Sequence, residues 1–116
     1  MPPDADRPAL LGPIDLLVLL ALVEGDRHGY GIRQDVLALT DGDVELDAGN
    51  LYRSMRRLLD RGLVERLPAG ADPEADPRRR DYRLTALGRE ATGAEVARLD
   101  RLLGLRAARR LKAESS

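Results

Sequence analysis

The sequence predicts a mainly α-helical fold that carries one small β-hairpin and ends in a long helix. Three observations predict it. Apolar residues recur at three- and four-residue spacing in four separate stretches. Two short segments suited to strands flank a stretch rich in Pro, Gly, Ala and Asp at residues 68–79. The core must be built from Leu, Val, Ile and Ala, because the 116 residues include no Phe and no Trp, which favours helices packed through Leu.

Residues 1–11, with Pro2, Pro3, Pro8, Asp4 and Asp6, read as a flexible N-terminal arm. Gly12-Pro13 opens a first helix, and Pro13 suits the first turn, where its missing N–H is not needed. Leu16, Leu17, Leu20 and Val23 fall at helical spacing, and Leu19 and Leu22 widen the stripe until the helix is apolar on most sides. Gly25 ends it at a position suited to a left-handed residue. After the turn Asp26-Arg27-His28-Gly29, a second helix is expected from about Tyr30 to Leu39, facing inward through Ile32, Val36 and Leu39. Asp41-Gly42-Asp43 breaks it. Val44 and Leu46 then alternate with Asp43, Glu45 and Asp47, the pattern of a short half-buried strand.

A third helix is expected from Ala48 to Asp60, with Asp47 as its N-cap and Gly62 closing it. At about 100° per residue, Leu51, Met55, Leu58 and Leu59 share one face, while Arg53, Arg56 and Arg57 fall on the opposite one. Leu63–Leu67 and Arg80–Leu84 form the hairpin strands, joined by a long mobile tip. Thr85 caps a last helix running to about Lys112, along which Val96, Leu99, Leu103, Ala107 and Leu111 make a stripe broadened by Leu102.

Three helices and a hairpin already supply a domain core, so that leftover stripe needs another partner. The cheapest is a second copy of the chain. The order helix, helix, strand, helix, strand, strand, long helix is that of a winged helix-turn-helix with a C-terminal dimerisation helix. It divides the chain into the arm (1–11), a winged helix-turn-helix domain (12–85), the dimerisation helix (86–113) and a tail (114–116).

The net charge of −1 hides a strong segregation. Residues 1–49 carry −7, whereas residues 50–83 and 84–116 each carry +3. A local basic face is what a DNA duplex meets, whatever the total. Arginines on a helix commonly mark only a solvated face. Here the outward face lacks a balancing acid until Asp60, and a helix entering a groove needs donors for guanine edges and phosphates. Asn50, Tyr52, Arg53 and Arg56 lie near the N-terminus of the third helix, where bases are reached, and Arg57 is better placed for phosphate. Tyr52 also borders the Leu51–Met55 stripe, which gives it a structural reading as well. Arg78, Arg79 and Arg80 at the return strand suit backbone contact, while Asp72, Glu74 and Asp76 keep the tip itself away from a duplex.

Other functions lack their parts. No Cys means no disulfide, thiolate chemistry or Cys-ligated zinc. The single histidine, His28, has neither the partners of a zinc site nor those of a triad, so it belongs to the turn before the second helix. Asp41, Asp43, Glu45 and Asp47 resemble a calcium loop only loosely: the sixth position lacks Gly and the twelfth is Tyr52. With no phosphate-cradling glycine loop, neither an enzyme nor a cofactor is expected. The apolar run Leu16–Val23 is too short to span a bilayer and lacks the flanks of a signal peptide, so the chain reads as cytoplasmic.

Several motifs together carry a family resemblance. They are L-x-L-L-A-L at Leu17–Leu22, His28-Gly29-Tyr30-Gly31-Ile32, and Gly49-Asn50-Leu51-Tyr52-Arg53 followed by Arg57-Leu58. Arg61-Gly62-Leu63-Val64 and Tyr82-Arg83-Leu84-Thr85-x-x-Gly88-Arg89 complete them. In these the chain resembles the PadR family of bacterial transcriptional regulators over about residues 10–103. The resemblance implies that the third helix is the recognition helix and the hairpin the wing. It also implies a homodimer held through the C-terminal helix, often with the first, and on its strength Leu16 and Leu20 of the first helix join the same interface. Members are usually repressors of double-stranded DNA sites, some of them released by a small hydrophobic or aromatic effector. The rival reading is a winged helix that binds protein and not DNA, which the weak net charge favours.

Overall fold

The computed structural model describes residues 10–68 and 81–115. Its elements are α1 (Pro13–Val23), β1 (Arg27–His28), α2 (Gly29–Leu39), α3 (Ala48–Asp60), β2 (Val64–Arg66), β3 (Asp81–Leu84), α4 (Ala86–Leu103) and α5 (Arg106–Glu114). The sheet is antiparallel in the order β1-β3-β2, with Arg27 opposite Tyr82 and Val64 opposite Leu84. Mostly helical with a small sheet, this is the winged-helix architecture that the sequence predicts.

The apolar helix α1 is the hub. It packs against α2, α3, α4 and β3, and Val18, Leu19 and Leu22 are fully or almost fully buried. Ile32 and Val36 from α2, Leu51, Met55 and Leu58 from α3, and Leu63, Val64 and Leu84 from the hairpin close around them. Each fully buried aliphatic side chain contributes about 1.5–3 kcal/mol, so this cluster sets the domain's stability.

Three helices begin on side-chain caps. His28 Nδ1 accepts from Gly31 N–H at 3.0 Å, Asp47 Oδ1 from Asn50 N–H at 2.7 Å, and Thr85 Oγ1 from Gly88 N–H at 2.9 Å. Each satisfies one orphan donor of a first turn, worth about 1 kcal/mol. Gly62, at φ +72°, adopts the left-handed turn that separates α3 from β2.

Two expectations are corrected. Val44–Leu46 is irregular chain and not a strand. β3 takes Arg27–His28 on one edge and β2 on the other, so the segment does not pair with β3. The segment satisfies its backbone through side chains instead: Val44 N–H donates to Thr40 Oγ1 at 3.0 Å, and Leu46 C=O accepts from Arg33 Nε at 2.7 Å. The alternation was real, since Leu46 is buried and Glu45 exposed, but it anchors a loop.

The last helix is interrupted. α4 stops at Leu103, Gly104 caps it by donating to Asp100 and Arg101 carbonyls, and Leu105 is extended (φ −65°, ψ 144°) before α5. Glycine costs about 1 kcal/mol against alanine inside a helix, which makes this the weak point of the run. The stripe is thus cut between Leu103 and Ala107. The predicted hairpin tip with Arg78, Arg79 and Arg80, and most of the N-terminal arm, lie outside the described residues.

Candidate nucleic-acid interface

α3 divides its side chains sharply. Leu51, Ser54, Met55 and Leu58 are buried against the domain, while Asn50, Tyr52, Arg53 and Arg56 are exposed. Tyr52 is 61% exposed, outside the buried stripe that it borders in sequence. At the N-terminus of α2, a Cβ on Gly29 would stand 3.4 Å from Leu51 Cδ2, an ordinary van der Waals contact.

The outward side chains are organised among themselves. Arg53 Nη2 donates to Asn50 Oδ1 at 2.5 Å, so the guanidinium is held over the first turn of the helix. Arg56 Nη1 donates to Tyr52 Oη at 3.3 Å, with its guanidinium carbon 6.0 Å from the ring centroid. Both arginines keep further N–H donors in the planar fork that matches a guanine edge or a phosphate. Side chains ordered in advance lose less entropy on binding any ligand.

Arg57 differs. Its Nε and Nη2 donate to Asp15 of α1 at 3.1 and 2.8 Å, and Ser54 Oγ donates to the same carboxylate at 2.6 Å. Asp15 is 6% exposed and Ser54 fully buried, yet the Arg57 side chain remains half exposed. Burial alone would raise the Asp15 carboxyl. The hydrogen bonds from Arg57 and Ser54, with the charges of Arg57 and Arg61, outweigh it and hold the group below the ordinary aspartate value. Sequence reading missed Asp15 and Ser54. The available signal was one acid set in an otherwise apolar helix.

The wing base is also knit by charge. Arg83 pairs with Glu65 across the β2–β3 ladder at 2.7 Å, and Arg66 stacks over Tyr82 with its guanidinium carbon 5.9 Å from the ring centroid. On the acidic side, Asp41, Asp43, Glu45 and Asp47 are all exposed along the loop leading into α3. No group of side chains among the described residues could hold a metal ion. None of the described helices is long and apolar enough to cross a membrane.

Of the residues expected at a dimer interface, Val96, Leu102, Leu103 and Leu111 are 41–64% exposed, and Ala107 is exposed as well. Leu16, Leu20 and Leu99 are half-buried. Glu95, one residue before Val96, is buried at 5% exposure, accepts Leu11 N–H at 2.9 Å and pairs with Arg98.

Comparison with known proteins gives a consistent picture. The model of the transcriptional regulator PadR-like family matches residues 18–94. An uncharacterised protein of Lysinibacillus sphaericus is 30% identical over 78 residues, covering 67% of this chain and 70% of that one. A transcriptional regulator from Clostridium thermocellum superposes with a TM-score of 0.67 at 24% identity, over 78% of this chain and 86% of that one. RosR of H. salinarum gives a TM-score of 0.58 at 28% identity, over 97% and 91%. Bacillus subtilis PadR, solved in complex with operator DNA, gives 0.62 at 17% identity, over 72% and 46%, a likeness of fold.

Proposed function

The chain belongs to the PadR-like family of transcriptional regulators, and from that premise we propose that it is a cytoplasmic DNA-binding repressor that grips a pseudo-palindromic operator as a homodimer. The observation that carries this reading is the outward face of α3, where Asn50 holds Arg53 and Tyr52 holds Arg56 with donors to spare. In each protomer α3 enters the major groove, and the two copies read half-sites about 34 Å apart. Arg53 and Arg56 take base edges, with Asn50 and Tyr52 beside them. Arg57 divides its guanidinium between Asp15 and a phosphate. Arg78, Arg79 and Arg80 join as backbone contacts of the wing on the strength of the sequence.

The dimer forms through the exposed apolar side chains of α4 and α5 together with Leu16 and Leu20 of α1. An effector, where one acts, is small and hydrophobic and enters between Leu16, Leu20, Val96, Leu99 and Leu103. It works by changing the angle between protomers, which spoils the match to half-site spacing. Fluorescence anisotropy on duplexes from the region upstream of its own gene tests the reading. Wild type is expected to prefer one duplex and to lose affinity steeply with salt. Arg53→Ala and Arg56→Ala should each lower specific affinity about 5- to 100-fold, the range of one good base contact. Salt-insensitive binding, or variants that bind as wild type, would instead support the protein-interaction winged helix.

A further inference from the structure

Asp15 is the one charged side chain of α1, and it faces α3 from within a helix that is otherwise apolar. Its carboxylate takes three hydrogen bonds from α3: one from buried Ser54 and two from Arg57, one turn further along. Burying a carboxylate costs desolvation that an ion pair often fails to recover, and an apolar side chain packed there would stabilise the domain as well. What the ion pair adds is direction. Leu51, Met55 and Leu58 pack against the core without bond angles, so apolar contacts alone tolerate some roll of α3 about its own axis. Bonds to Ser54 and Arg57 are directional, and the short bond from the Ser54 hydroxyl, whose side chain cannot extend, is lost once the helix turns.

We infer that Asp15 is the positioning residue of the DNA-reading face: by clamping Ser54 and Arg57 it fixes the roll of α3, and with it the aim of Arg53 and Arg56. This rests on the DNA-binding reading above. Binding sites generally need their groups held within about 10–20° of the working orientation, so a lost clamp matters even where the fold survives. Electrostatics alone predicts the opposite outcome. Asp15 is a negative charge beside a surface that meets phosphates, so removing it should tighten every kind of DNA binding.

The test compares wild type, Asp15→Asn, Arg57→Lys and the double variant as full chains, at a temperature where circular dichroism shows all of them folded. Affinity is measured for the best-bound upstream duplex and for a scrambled duplex of equal length. The inference expects the ratio of the two affinities to fall about tenfold in each single variant. Binding of Asp15→Asn to the scrambled duplex should be unchanged or stronger. The double variant should be no worse than either single one, since both break one clamp. In the free protein, hydrogen exchange should quicken in α3 more than in α2 for Asp15→Asn. An unchanged ratio, or single losses that multiply in the double variant, overturns the inference. Should wild type fail to prefer any duplex, the DNA reading falls. Hydrogen exchange then decides the clamp separately, and equal quickening of α2 and α3 overturns it too.

Discussion

Gly88 lies so close to the main chain of Leu63 that a Cβ at position 88 would fall 1.9 Å from the Leu63 carbonyl oxygen. That carbonyl also accepts Thr85 N–H at 3.1 Å, so the first turn of α4 is seated on the strand side of the hairpin. Backbone stands on both sides of the contact and neither side can yield cheaply. Gly88→Ala should therefore destabilise the domain by about 3 kcal/mol or more, at the upper end of overpacking costs. Urea unfolding checks this, with Gly93→Ala as the control, because a Cβ there meets nothing within 4 Å.

Acid should loosen the protein through two buried carboxylates. Arg98 and the Leu11 N–H outweigh burial and hold Glu95 below the ordinary glutamate value, and Asp15 is likewise lowered. Both groups ionise more readily in the folded chain, so unfolding takes up protons at low pH. Their stabilisation is complete above the ordinary carboxylate range and is lost as pH falls through the lowered folded values. The urea midpoint should hold near neutrality and drop below about pH 4. Glu95→Gln should lower the midpoint at neutral pH, by about 2 kcal/mol of stability, and make its acid limb shallower.

Association should depend on the open face of α4. Leu103 is 60% exposed in the single chain, so Leu103→Glu leaves the folded protomer within about 0.5 kcal/mol of wild type. A charge there should nevertheless split the proposed dimer: sedimentation equilibrium should show wild type paired and the variant as a monomer at the same concentration.

The bend between α4 and α5 is made where Leu105 turns extended, directly after Gly104. Gly104 already has right-handed helical angles (φ −80°, ψ −10°), so alanine fits without strain. Gly104→Ala should favour a continuous helix by about 1 kcal/mol. The readouts are a larger helical circular dichroism signal and a longer particle in small-angle scattering.

Legibility followed the range of the interactions. α3 was readable to its end residues because its cap, its apolar stripe and its closing glycine all lie within the helix or beside it. Thr85 and the hairpin strands were readable for the same reason. β1 was not, since two residues carry no periodicity and Arg27–His28 becomes a strand only because Tyr82 and Asp81 lie opposite. Val44–Leu46 showed the right alternation, but its backbone is taken by Thr40 and Arg33, four and thirteen residues earlier, and not by a strand. Within the site, Arg53 and Arg56 stood out as unbalanced charge on one face. Arg57 looked like a third member of that set, because its partner Asp15 is 42 residues away. Glu95 was hidden similarly, its second contact lying at Leu11, 84 residues back.

The two-residue strand β1 has a consequence for how the protein survives at high concentration. Alone, the hairpin would offer two open edges of unpaired amides, each a template on which another chain could add a strand. Arg27 and His28 cover the β3 edge. Among the described residues the edges that remain are β1, two residues long, and β2, three residues long with Glu65 and Arg66 both exposed. An edge so short and so charged gives a growing fibril nothing to extend. The turn before α2 thus also closes an edge on which another chain could add a strand.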